Sequence, residues 1–534
     1  MGIPTFQSPD VLKLRYETHR DRVVRCHRDR PGDIASMFAA AVARAHGEIA
    51  IVDGALRLSY LELDQLADLC ARRMSGCGVV SGDRIGILLD NRADFLVIML
   101  AAARLGAIST PMNIRQRAPE IAFVLKDCGA KLLFHEASVV GQLPRPEEVP
   151  ELRTRLTIDD DHRAWDYGDA GAGDFLYAAA HEDAPFCILY TSGTTGRPKG
   201  AVLTHLGVVT SCLGARDALG LQDGESTVVA VPASHVTGVI LDLLLLVLVA
   251  GKSVMQRGFN ARRFLELAAL ERMSYAILVP AMYTLCLIDA AYDAFDLSAW
   301  RVGAFGGAPM PEATLEALAR KNPGLRLVNI YGATETSSPA VLMPPDEAAS
   351  YRAYVGRPLP YCDLLIVDED GREVPAGDPG EIWISGPMVI PGYWNNPEAT
   401  AEAFIGGYWR SGDIGSIDEH GFVRLLDRKK DMINRGGFKI YSAEVENTLM
   451  SHPAVVEAAV VGRPCPVLGE RVEAFAVVSD QIDGRALRAF CAEQLSDYKV
   501  PDHVELVQGP LPRNANGKLL KSVMRGWLKD PTTT

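Results

Sequence analysis

Apolar positions recur along this chain with two periods, and the alternation between them predicts strands and helices taken in turn. After a charged lead-in, Ile34 to Ala45 carries a helical spacing. Ser59-Tyr60-Leu61-Glu62 has the S-x-x-E form of a capping box, and Leu63, Leu66, Ala67, Cys70 and Met74 follow on one helical face. Gly82-Asp83 then turns the chain into Ile85-Gly86-Ile87-Leu88-Leu89, a strand apolar on both faces. A helix from Phe95 to Leu105 stops at Gly106, and Ala107 to Pro111 is a second short strand. That is a β-α-β unit, which implies a parallel sheet covered by helices.

Residues 135–180 are rich in Pro, Asp and Gly and read as a surface excursion between two sheet halves. Beyond them the apolar run Val239 to Val249 predicts a buried helix. Tyr275 to Pro280 and Arg301 to Pro309 each read as a strand running into a loop. Pro311 suits the first position of a helix through Leu315 and Leu318, closed near Gly324. Leu327 to Thr336 is a third strand ending in a polar loop. Short strands and turns crowd residues 355–427, as in a small β-barrel. The last hundred residues hold helices at Ser442 to Met450 and Leu487 to Leu495, with strands at Ala454 to Val461 and Val472 to Val478. The expected fold is therefore α/β: a large N-terminal domain (1–427) of helix-covered parallel sheets plus the barrel, and a small α+β domain (431–534).

Length and composition add limits. At 534 residues, more than one core is expected. A hydrophobic share of 48% with 23% charged residues is ordinary globular usage, which excludes a largely disordered chain. The net charge of −13 argues against binding to a nucleic-acid backbone, so any anionic ligand must meet cations gathered locally. The 10 cysteines contain no C-x-x-C pair, so neither a disulfide framework nor a zinc site is expected and a reducing compartment fits. Charges from Lys13 to Arg30 leave no room for a signal-peptide core, and the greasiest run, Leu243 to Ala250, is too short to span a bilayer. A cytoplasmic protein without a membrane span is the expectation.

Candidate chemistry centres on Tyr190-Thr191-Ser192-Gly193-Thr194-Thr195-Gly196-Arg197-Pro198-Lys199-Gly200, flanked by apolar strands. Glycines let backbone N–H groups converge, hydroxyls add donors and lysine adds charge, a combination suited to a polyphosphate. The spacing is not that of a Walker A motif, which needs four residues between the glycines and Ser or Thr directly after Gly-Lys. Gly76 to Gly82 is no dinucleotide fingerprint, because it precedes a strand instead of opening a helix. No G-x-S-x-G elbow is present. In parallel-sheet proteins ligands bind at the carboxyl ends of strands, where Gly306-Gly307-Ala308-Pro309 and Tyr331-Gly332-Ala333-Thr334-Glu335 both fall. Tyr331 can lie on a purine, Gly307 admits its edge, Thr334 can donate to phosphate and Glu335 offers hard oxygens to Mg²⁺.

The loop at 190–200 resembles the phosphate-binding signature of the adenylate-forming (AMP-binding) superfamily, in its acyl-CoA synthetase branch. Tyr408-Trp409-Arg410-Ser411-Gly412-Asp413, Asp427-Arg428-Lys429-Lys430-Asp431, Asn434 to Ile440 and Pro512 to Leu519 resemble further motifs of that family, in its order. The resemblance implies an ATP site of Thr191, Ser192, Gly193, Thr194, Thr195, Lys199, Gly307, Ala308, Pro309, Asn329, Tyr331, Gly332, Thr334, Asp413, Arg428 and Lys518. Within it, Asp413 would take the ribose hydroxyls, Thr195 and Glu335 would hold Mg²⁺, and Lys518 would be the catalytic lysine, joined by Glu335, Thr191 and His235. An acyl pocket of His235, Val236, Val239, Gly306 and Gly332 is implied, with Gly436, Gly437 and Phe438 at the CoA tunnel. A hinge is implied at 428–430, with Lys430 at its pivot.

The resemblance implies an ATP-dependent carboxylate–CoA ligase with ATP, CoA and a carboxylic acid as substrates and Mg²⁺ as cofactor. No second cation for the acid is evident, which favours a medium-chain, aromatic or otherwise bulky monocarboxylate. A carrier-protein thiol as acceptor, a luciferase-like oxidase and a non-catalytic nucleotide-binding scaffold stay open, as does assembly into a homodimer.

Overall fold

A computed structural model describes residues 13–159, 163–165, 179–191, 197–308, 310–348, 350–479, 481–513 and 519–528. Contacts divide the chain into two units. The first comprises residues 1–364, 383–410 and 419–423, and the second 365–382, 411–418 and 424–534. The division thus assigns 365–382, 411–418 and 424–427 to the second unit, although the sequence reading groups them with residues 1–427.

Three sheets organise the first unit. A six-stranded sheet runs in the order Lys199–Thr204, Pro185–Thr191, Ile108–Pro111, Arg84–Leu88, Leu132–Glu136 and Thr154–Ile158. Every pairing in it is parallel except that of the first two strands, which form an antiparallel hairpin. The predicted β-α-β unit lies at its centre: Arg84–Leu88 pairs in parallel with Ile108–Pro111 across the helix Ala93–Leu105, which ends on Gly106 in the left-handed region. Apolar character on both strand faces is what lets helices cover both sides. Ser59 caps the helix Tyr60–Gly76 in the expected box with Glu62.

The second sheet, in the order Ser226–Val229, Lys252–Met255, Ile49–Asp53 and Leu56–Ser59, joins strands from distant parts of the chain. The third sets Tyr275–Leu278, Val302–Gly306 and Arg326–Tyr331 in parallel, followed by the short antiparallel strands Val341–Leu342 and Arg357–Pro358.

Four local readings change. The charged lead-in is a hairpin, Leu14–His19 paired with Arg22–His27. The excursion after residue 135 contains the edge strand Thr154–Ile158, whose β-branched residues were hidden among Pro, Asp and Gly. Pro280 ends no loop but opens the helix Pro280–Leu287, since a proline at the first turn gives up no needed donor. The apolar run from residue 239 starts as a π-helix, Gly238–Leu244, with Leu245 N–H donating five residues back to Ile240, and continues as the short α-helix Leu245–Leu248. All eleven residues of the two segments are buried.

In the second unit, Phe438–Ile440, Ile433–Arg435, Gly469–Val478 and Val455–Cys465 form a sheet joined in parallel by His503–Leu506. Helices Ser442–Met450 and Gly484–Gln494 close a core of Ile433, Ile440, Val445, Leu449, Val460, Ala474, Leu487 and Cys491. The strand-rich stretch within residues 355–427 forms a five-stranded sheet, Asp363–Val367, Gly380–Ser385, Tyr408–Ile417 and Phe404–Ile405, with Val423–Arg428 also on Tyr408–Ile417. All ten cysteines are free thiols, nine of them buried. No helix among the described residues is long and apolar enough to cross a membrane.

One buried contact in the first unit makes stability depend on pH. His205 opens the helix His205–Leu219, and its Nδ1 accepts from the Ile34 N–H at 3.2 Å, which only a ring unprotonated at Nδ1 can do. Burial pushes its pKa down to about 4 from 6.5, with Asp33 opposing the shift. The unfolded chain therefore takes up this proton at higher pH than the folded one. The contribution is complete above about pH 6.5 and falls by about 3 kcal/mol as pH drops towards 4. Urea midpoints measured from pH 7 to 4 should show this fall, and His205→Asn, which keeps an acceptor for Ile34, should remove that share of it.

Candidate active site

The two strands that the sequence predicts around the phosphate loop pair with each other, Thr191 opposite Lys199, and the Thr191 hydroxyl lies 3.5 Å from the Lys199 carbonyl. Ser192, Gly193, Thr194, Thr195 and Gly196 lie outside the described residues, as do Pro309 and Lys518. The exit strand is flanked on both sides. Trp394 N–H donates to the Gly200 carbonyl at 2.7 Å, Val202 N–H donates to Gly392 at 3.3 Å, and Ala201 and Tyr393 form an antiparallel bridge.

The two predicted loops meet at one edge of the third sheet. Phe305 pairs with Asn329 and Gly306 with Ile330, so Gly307 and Ala308 emerge beside Tyr331 and Gly332. A Cβ at Gly306 would stand 2.5 Å from the Ile330 carbonyl, so the strands can approach this closely only with glycine there. Gly307 has φ +79° with open space around it, whereas Tyr331 is buried where its strand turns to Val341. The Asn329 carbonyl is taken by the Met343 N–H. Thr334 to Thr336 form one 3₁₀ turn, which leaves Thr334 and Glu335 half-buried.

Glu335 is fixed at both ends. Its carbonyl accepts from Ile390 N–H at 2.9 Å, and its Oε1 accepts from the Tyr393 hydroxyl at 2.9 Å. Lys199 Nζ lies 5.2 Å from the centre of the same tyrosine ring, in cation–π range. The lysine of the phosphate loop and the carboxylate of the acidic loop thus converge on Tyr393. A half-buried carboxylate is a hard oxygen donor of the kind Mg²⁺ prefers, so Glu335 fits that ion.

His235 precedes the π-helix. Its Nδ1 accepts from Thr237 N–H at 3.3 Å, which places the proton of the neutral ring on Nε2, and its carbonyl accepts from Val239 N–H. Val236 and Val239 are buried.

The remaining predicted residues belong to the second unit. Arg428 Nε donates to the buried Asp413 carboxylate at 2.7 Å, leaving that carboxylate oriented by a guanidinium. Lys430 is exposed, and its carbonyl accepts from Arg525. Gly436 and Gly437, at φ +60° and +90°, make the turn between Ile433–Arg435 and Phe438–Ile440, where the exposed Phe438 stacks on Tyr498 at 4.5 Å.

Sequence reasoning missed Tyr393, although Gly392-Tyr393-Trp394 stood out as a turn signal. An aromatic residue in a turn-rich stretch usually serves packing, and only the long-range bridge to Ala201 brings this one to Lys199.

Comparison with known proteins adds the family context. The AMP-binding enzyme family profile matches residues 38–394, and that of the AMP-binding enzyme C-terminal domain matches residues 444–518. The long-chain-fatty-acid–CoA ligase FadD13 of Mycobacterium tuberculosis is 32% identical over 480 residues, covering 88% of this chain and 93% of its own. Feruloyl-CoA synthase of an Amycolatopsis species is 34% identical over 481 residues, covering 89% and 95%. The o-succinylbenzoate CoA synthetase MenE of Bacillus subtilis, solved with its acyl-adenylate OSB-AMP, superposes with a TM-score of 0.83 at 28% identity, covering 92% of this chain and 97% of that one. The same enzyme solved with ATP and a magnesium ion gives a TM-score of 0.82 at 29% identity, covering 91% and 98%.

Proposed function

The chain belongs to the AMP-binding enzyme family, and from that premise we propose that it joins a medium-chain, aromatic or otherwise bulky monocarboxylic acid to coenzyme A. It is an acid–thiol ligase that uses ATP and Mg²⁺. The structural observation supporting an active site is the convergence of Lys199 and Glu335 on Tyr393.

In the first half-reaction a carboxylate oxygen attacks the α-phosphorus of ATP. The bond to the bridging oxygen breaks, and pyrophosphate leaves with its electron pair. In the second, the CoA sulfur attacks the acyl carbon, and AMP leaves as the acyl–oxygen bond breaks. Both partners of the first step are anions, so this protein's task is alignment and charge neutralisation. Thr191 and Lys199, with the loop between them, hold the β- and γ-phosphates. Gly307, Ala308 and Tyr331 take the adenine, Asp413 oriented by Arg428 takes the ribose diol, and Lys518 bridges the carboxylate and the α-phosphate. Glu335 and Thr195 would hold Mg²⁺, which supplies positive charge against the triphosphate. His235 with Val236 and Val239 borders the acyl group, the Gly436-Gly437 turn serves the pantetheine arm, and Lys430 is the pivot between half-reactions.

Pyrophosphate release across a panel of medium-chain, aromatic and dicarboxylic acids, with and without free CoA, tests this reading. Release with at least one bulky monocarboxylate, and an acyl-CoA product with free CoA, is the expected result. No release with any acid would sink the catalytic reading. Release without a CoA thioester, but with transfer to a pantetheinylated carrier protein, would replace CoA as the acceptor.

A further inference from the structure

We propose that Tyr393 is a positioning residue that holds the Glu335 carboxylate and the Lys199 ammonium in a fixed arrangement for the triphosphate; this rests on the reading of Glu335 and Lys199 given above. The tyrosine presents two different surfaces to two opposite charges. Its hydroxyl donates to Glu335 Oε1 at 2.9 Å, and its ring lies under Lys199 Nζ at 5.2 Å. A lysine and a glutamate brought together by folding tend to pair directly, which would spend both charges on each other. Engaging one through a hydroxyl and the other through a ring keeps both near a phosphate chain.

The ring is itself held firmly. Tyr393 N–H donates to Thr400 Oγ1 at 2.9 Å, and the ring meets Phe404 edge-on at 5.8 Å. Its backbone is bridged to Ala201, two residues beyond Lys199, and Trp394 N–H donates to Gly200. Even Gly392 contributes, because a Cβ there would come within 2.6 Å of the Thr400 side chain. Lys199 and Tyr393 therefore sit on adjacent, hydrogen-bonded segments, so the distance between them does not depend on long side chains finding each other.

The position is separable from plain structural support because its two partners concern only the β- and γ-phosphates. AMP has neither, and its contacts in this reading lie elsewhere. The test is calorimetric binding to the full-length protein of Mg²⁺ with a non-hydrolysable ATP analogue, set beside binding of AMP. Tyr393→Phe keeps the ring and removes only the hydroxyl. Its Kd for the Mg²⁺-loaded analogue should rise about tenfold, as expected for loss of one charge-assisted hydrogen bond, while its Kd for AMP stays within about twofold. Tyr393→Leu removes the ring face as well and should weaken the analogue further, again sparing AMP.

An unchanged analogue affinity in Tyr393→Phe overturns the proposal. So does an equal loss for AMP and analogue, because that is the mark of a general disturbance. Glu335→Gln separates this from the underlying reading. If Glu335→Gln binds the analogue like wild type with the same Mg²⁺ requirement, the metal role of Glu335 falls and takes the proposal with it. If Glu335→Gln is impaired and Tyr393→Phe is not, only the Tyr393 proposal falls.

Discussion

Replacing Lys518 with alanine should slow acyl-adenylate formation by about 10²–10³-fold, which corresponds to about 3–4 kcal/mol of transition-state stabilisation lost with one preorganised charge. The lysine lies outside the described residues, in a segment that closely resembles the family's catalytic-lysine motif. Its proposed partners, the attacking carboxylate and the α-phosphate, repel one another, and nothing else in the reading bridges them. Once the adenylate exists that repulsion is gone. The variant should therefore still convert a supplied acyl-adenylate to thioester at nearly the wild-type rate. Single-turnover pyrophosphate release, paired with thioester formation from synthetic adenylate, separates the two. Adenylation at the wild-type rate would remove Lys518 from the mechanism.

Gly238→Ala should destabilise the protein by about 2–3 kcal/mol and lower activity towards bulky acids most. At Gly238 a Cβ would stand 2.3 Å from the Pro232 carbonyl oxygen and 2.9 Å from the Ala233 Cα. Both obstacles are backbone, so no rotamer change can relieve the clash, and overpacking of this kind typically costs 1–3 kcal/mol. The displacement must be taken up either by the Pro232 turn or by the first turn of Gly238–Leu244, and His235 lies between them. Denaturant midpoints report the stability loss. The ratio of kcat/KM for a bulky acid to that for a short one reports the shift at His235, and an unchanged ratio would dissociate this segment from the acyl pocket.

What the sequence disclosed and what it hid follow from the range of the forces involved. The strands Pro185–Thr191 and Lys199–Thr204, the capping box at Ser59 and the strand ends at Gly306 and Tyr331 are set by patterns a few residues long, and all were legible. The hairpin of Leu14–His19 and Arg22–His27 was not, because charges interrupt its alternation and its contacts come from afar. Arg30, for example, forks across Glu17 and Glu182. A π-helical start to the Gly238 segment leaves no trace in an apolar run, since an all-buried helix shows no preferred face. Tyr393 was invisible for a third reason. Its partners Lys199 and Glu335 come from remote parts of the chain, brought to it by the Ala201–Tyr393 bridge and by the Ile390 N–H to Glu335 carbonyl bond.

The strand order of the second sheet also bears on how this chain is made. Ile49–Asp53 and Leu56–Ser59 leave the ribosome early, but Ile49–Asp53 has its other neighbour in Lys252–Met255. On the order of 200 residues separate the two strands, which at 5–20 residues per second is roughly 10–40 s of synthesis. For that interval an apolar strand edge has no native partner to receive it. A nascent chain stalled between these strands would present an open template to other chains, and the span from residue 54 to 251 is where shielding by a chaperone would count most.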